Sequence, residues 1–123
     1  MRNNAIRALG VLASSDVELA APIPASLILD LLSSGVWADR NKSVAVLASL
    51  TRSRDGRVLA ELKQRSLGAL IECARWRWIG HSYWPRVILG RLAGIDEDTI
   101  ARQAADPAFV EFALAKLRTS ANP

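Results

Sequence analysis

The sequence predicts an all-α fold of stacked antiparallel helical hairpins, about seven to eight helices in total, and three observations carry that prediction. Apolar residues recur at three- and four-residue spacing, as in Ile6, Leu9, Leu12 and Ala13, in Val44, Leu47 and Leu50, and in Leu67, Leu70, Ile71, Ala74 and Trp78. Each set paints one stripe along a helix. Strict alternation bounded by turn signals is absent, and β-branched residues are scattered, so no sheet is expected. Proline, glycine and aspartate stand where short helices would start and stop.

Taken in order, the first helix covers residues 2–14. Pro24 suits the first turn of a helix over Ala25–Ser34, which Gly35 ends. Asp39 offers a carboxylate to the orphan amides of a helix running to about Arg52. Asp55 and Gly56 open a short helix through Val58, Leu59 and Leu62, with a bend near Lys63 into a longer one from Gln64 to Arg77. Glu61 and Arg65, four apart in the favourable order, argue instead for continuity there. Gly80 breaks the chain, Ser82 caps, and Pro85 falls in the first turn of a helix reaching Ala93. Asp96, with Glu97 and Asp98, starts the next helix, and Asp106-Pro107 opens the last, to about Arg118.

A chain of 123 residues suits one domain, residues 1–123, able to bury a core without disulfide or metal. Half of the residues are hydrophobic and 23% are charged, which excludes the composition of a disordered chain. Cys73 is alone and cannot form an internal bridge, which points to a reducing, cytoplasmic setting. The longest uncharged stretch, Leu19–Leu29, is broken by Pro22 and Pro24 and is far short of the roughly 20 residues of a membrane helix. The apolar run after Arg7, Ala8–Ala13, is too short for a signal peptide, so neither a membrane association nor a targeting segment is expected.

The net charge of +4 is unevenly placed. Between residues 40 and 91 eleven basic side chains face three acidic ones, giving +8, while the segments on either side each carry −2. The positive field belongs to the middle of the chain.

Three segments repeat one another. Arg2-x-x-Ala5-x-x-Ala8-Leu9-Gly10-x-Leu12 matches Arg40-x-x-Ser43-x-x-Val46-Leu47-Ala48-x-Leu50, and both match Ile88-Leu89-Gly90-x-Leu92, at offsets of 38 and 42 residues. Gly10, Ala48 and Gly90 put a small residue beside two leucines, where a neighbouring helix can approach closely. This pattern resembles the second helix of HEAT or armadillo-like repeats, in which an arginine precedes small residues and a Leu-Gly/Ala-x-Leu ending. The third segment departs from it, with Ser82 at the arginine position and Pro85 at the first small one. The resemblance implies an α-solenoid fragment acting as a protein-binding scaffold, although some such families act on DNA bases or attach pigments to proteins. It also makes residues 2–14 the second half of a hairpin. The chain is then expected to be the C-terminal part of a longer array, or to associate through its N-terminal helix.

Chemistry-bearing constellations are few. His81 is the sole histidine and no Gly-x-Ser-x-Gly elbow accompanies it. Cys73 sits beside Ile71 and Ala74, as a small buried hydrophobe does. One histidine and one cysteine do not assemble a zinc site, Asp96-Glu97-Asp98 lacks the rest of a calcium loop, and no Walker-type loop occurs. No cofactor and no enzymatic activity are expected; for a helical-repeat enzyme or lyase, Glu72 with His81 is the nearest pair.

The unusual stretch runs from Arg75 to Arg86 and holds three of the four tryptophans and the only tyrosine. Trp78 and Trp84 continue apolar stripes and are expected in the core. Arg75, Trp76, Arg77, His81, Tyr83 and Arg86 are the candidate partner-binding residues, on a surface centred on residues 63–92. Three readings of them stay open: a seal between hairpins, a site for a protein partner, acidic in character, and a nucleic-acid surface on which arginines meet phosphates and rings stack on bases.

Overall fold

The structure is a computed structural model that describes Ala5, Ala8 and residues 25–121. Six helices and no strands occur among the described residues: α1 (Ala25–Leu32), α2 (Trp37–Leu50), α3 (Gly56–Ala74), α4 (Ile79–Leu92), α5 (Glu97–Gln103) and α6 (Ala108–Ala121). The helix expected over residues 2–14, with the first copy of the repeat, lies outside the described residues apart from Ala5 and Ala8, which are helical. The chain divides into two compact units, Met1–Ala69 and Leu70–Pro123.

In the first unit α1 packs on α2 through a connection of four residues, 33–36. Leu29, Leu32, Val46, Leu47 and Leu62 are almost completely buried, each contributing about 1.5–3 kcal/mol of transfer free energy. Asp39 does not cap α2. The helix begins two residues earlier, with Val36 as an extended N-cap that offers no side-chain bond. Asp39 is instead a buried first-turn carboxylate that accepts from the Ser34 hydroxyl at 3.1 Å, and Ser34 Oγ in turn accepts the Val36 amide at 3.1 Å. Its charge thus closes the connection and still favours the positive end of the helix. Arg40, the arginine of the repeat pattern, sets its guanidinium over Trp37 of its own helix, 5.5 Å from the ring centroid.

The bend expected near Lys63 is absent, and α3 runs unbroken for 19 residues. Glu61 accepts from Arg65 at 2.8 Å, the four-residue pair that argued for continuity, and Arg65 also donates to Asp30 of α1.

In the second unit α4 packs on α5 and α6. Its core is Leu70, Cys73 and Ala74 from the end of α3 with Val87, Ile88, Leu89, Ile100, Phe109, Val110 and Ala113. Gly90 makes this packing possible. A Cβ there would stand 2.9 Å from Ile100 Cγ1 and 2.9 Å from Phe109 Cζ, closer than carbon atoms pack, so the small residue of the repeat pattern marks a real close approach. The helix stops in a left-handed turn at Gly94 (φ 72°), where Ile95 N donates to Gly90 O at 2.9 Å and Gly94 N to Arg91 O at 3.1 Å. Those two bonds are the paired closures of a Schellman motif. Asp96 then caps α5 as expected, accepting the Thr99 amide at 2.8 Å, and Asp106 accepts the Ala108 amide at 2.9 Å at the start of α6.

Candidate functional site

Four residues, Arg75 to Trp78, connect α3 to α4. The end of α3 is set from inside the unit. Arg86, 2% exposed, donates from Nε to the last helical carbonyl, Ala74 O, at 3.0 Å, and from Nη1 to Ala104 O at 3.2 Å and Ala105 O at 3.1 Å. One guanidinium thus satisfies orphan carbonyls at the C-terminal ends of both α3 and α5, where helix dipoles favour positive charge. Burial lowers its pKa from the ordinary guanidinium value, and the nearby Asp106 charge opposes that shift. Arg86 is therefore not on the surface proposed for it, and its partners are backbone.

Because α3 stops at Ala74 and not at Arg77, Trp78 leaves the apolar stripe that the sequence implied. It serves as the extended N-cap of α4 and is 69% exposed. The helix itself starts at Ile79, with Gly80 inside it and Pro85 well past its first turn. Ser82 is not its cap; it is fully buried, and its hydroxyl and amide both donate to Trp78 O, at 3.2 and 3.1 Å. Trp84 is also outside the core, 46% exposed, with its ring edge-on to Tyr83 at a centroid distance of 5.2 Å. Trp76 is 44% exposed. Three of the four tryptophans thus meet solvent within nine residues of sequence, an arrangement that stripe-reading could not find.

Glu72, Arg75, Trp76, Arg77 and Trp78 line an open groove of about 480 Å³. The structure therefore brings Arg75, Trp76 and Arg77 of the expected surface together and adds Trp78 and Glu72. His81 and Tyr83 are half-buried on α4 and do not line the groove. Arg75 donates to Glu111 of α6 at 2.9 Å, an exposed pair of small energetic weight. Arg77 is exposed and makes no ion pair or side-chain hydrogen bond among the described residues. The Trp78 indole lies close to the start of α4, where a Cβ on Gly80 would fall 2.8 Å from Trp78 Nε1.

Four of the eleven basic side chains of the central segment are engaged within the protein. Arg65 is held by Asp30 and Glu61, Arg75 by Glu111, and Arg91 by both oxygens of Glu97 at 2.8 and 3.2 Å, while Arg86 is buried on carbonyls. Among the described residues no three His, Cys, Asp or Glu side chains gather as a metal site would require, and no helix is long and apolar enough to cross a membrane.

The chain matches no protein-family model, no curated protein and no solved structure. The class defined by fold and site is therefore drawn from this chain alone: a helical protein that displays a tryptophan- and arginine-lined groove on an interhelical connection.

Proposed function

We propose that the chain is a non-catalytic interaction module of the HEAT-like, helical-repeat kind, which holds a protein partner on the groove at the 75–78 connection. The observation that carries this reading is the exposure of Trp76 and Trp78 beside Arg75 and Arg77 in one groove, because tryptophan and arginine are the residue types that dominate binding hot spots. Burying such rings removes large apolar areas from water. Leu47 and Leu89, equivalent positions of the internal repeat, are both completely buried.

A nucleic-acid surface is the weaker reading. Its exposed rings could stack on bases, but several of the arginines that would neutralise phosphates are already committed to carboxylates or carbonyls. The test is to immobilise the chain and the Trp76→Ala/Trp78→Ala variant side by side. The wild type should retain a protein that the variant loses, with melting temperatures within about 3 °C of each other. Oligonucleotide binding that weakens steeply with salt and vanishes on Arg75→Glu/Arg77→Glu would overturn this reading in favour of nucleic acid.

A further inference from the structure

We propose that the groove takes an extended peptide in which an acidic residue stands next to proline, with the carboxylate on Arg77 and the proline ring against the indoles of Trp76 and Trp78. The proposal rests on the interaction reading above and adds the chemistry of the partner.

Charge selects the acid. The groove contains two guanidinium groups, and Arg75 is already engaged with Glu111. Arg77 is the cation there without a carboxylate partner, and its planar fork suits a single carboxylate through two parallel hydrogen bonds. A chain of phosphates would meet Glu72 in the groove and Glu111 at its edge as like charges, whereas one carboxylate need approach only Arg77.

The rings select proline. Exposed indoles offer flat apolar faces, the surface on which proline-rich peptides dock in their left-handed extended helix, with little conformational entropy left to lose. Trp78 lies close against Gly80, whose lack of a side chain leaves room for the ring at the start of α4.

The experiment follows the four indole N–H signals of the 15N-labelled 123-residue chain by NMR, assigned through single Trp→Phe variants. The probe is the synthetic peptide acetyl-Pro-Pro-Glu-Pro-Pro-amide, compared with its Gln counterpart. The Glu peptide should shift the Trp76 and Trp78 signals and leave Trp37 unmoved, and binding should weaken roughly fivefold or more with the Gln peptide or with Arg77→Gln. Gly80→Ala, which displaces the Trp78 ring without touching Arg77, should weaken both peptides alike. Equal binding of Glu and Gln peptides would overturn the acidic selection while leaving the interaction module standing. If neither peptide moves these signals, the peptide proposal fails, and partner capture by the wild type then decides the broader reading separately. A response of the same two indoles to single-stranded oligonucleotide or to anionic lipid vesicles, without one to the peptides, would overturn both.

Discussion

Two connections in the second unit have the same length and opposite characters. Residues 93–96, between α4 and α5, turn inward: Gly94 and Ile95 donate their amides back to α4, Ile95 is buried, and Asp96 caps the next helix. Arg91 and Glu97 clasp one another across the turn. Residues 75–78, between α3 and α4, turn outward, and all four side chains are exposed. Its backbone is held by the Arg75 amide on Ile71 O at 3.1 Å and the Trp76 amide on Cys73 O at 3.3 Å, with Arg86 donating to the last carbonyl of α3 just before it. In both connections backbone amides bond back to the preceding helix; the difference lies in the side chains, which in 75–78 face solvent.

The comparison can be broken most severely at Arg86. Arg86→Ala leaves partly buried carbonyls at two helix ends without a donor and opens a cavity, and urea denaturation should show a loss of about 3 kcal/mol or more. Gly90→Ala drives a methyl into Ile100 and Phe109 and should cost about 1–3 kcal/mol by the same measurement. Gly94→Ala strains only the closed turn and should cost about 1–2 kcal/mol, because an L-residue is held in the left-handed region. Trp78→Ala should change stability by less than about 0.5 kcal/mol while removing partner capture. A large loss of stability in that variant would mean that the outward connection is structural after all.

The smallest effect is one of pH. The Thr99 amide, then the Thr99 hydroxyl, hold the Asp96 carboxyl below the usual carboxylate range. Its contribution to stability is therefore complete above that range and disappears as pH falls through the lowered folded-state value. The stability difference between wild type and Asp96→Ala should shrink accordingly in acid; a difference independent of pH would show that the ionised form is not what caps α5.

Much of this was legible in the residues, for identifiable reasons. Asp96 and Asp106 act on amides two or three positions ahead, and Gly90 reports a contact through its own size, so local reading found all three. The burial of Cys73 followed from its apolar neighbours Ile71 and Ala74 on the helix. What local reading missed is non-local. The bonds of Arg86 at the ends of α3 and α5 reach carbonyls 12, 18 and 19 positions away, and no pattern within one helix encodes them. Stripe logic carried α3 on to Arg77 and so placed Trp78 inside. Gly80 looked like a break because glycine costs about 1 kcal/mol within a helix, but a side chain there would strike Trp78. The residue type of Asp39 suggests a cap, but the Ser34 hydroxyl claims its carboxylate.

Cys73 is the only thiol in the chain, buried in the last turn of α3, and its carbonyl receives the Trp76 amide at 3.3 Å. A maleimide therefore reaches the sulfur only during moments when that turn lifts, so the rate of thiol labelling is a clock for the opening of the connection. A partner seated on Trp76 and Trp78 would slow the clock without touching the sulfur, which turns a buried core residue into a reporter of occupancy at the surface above it.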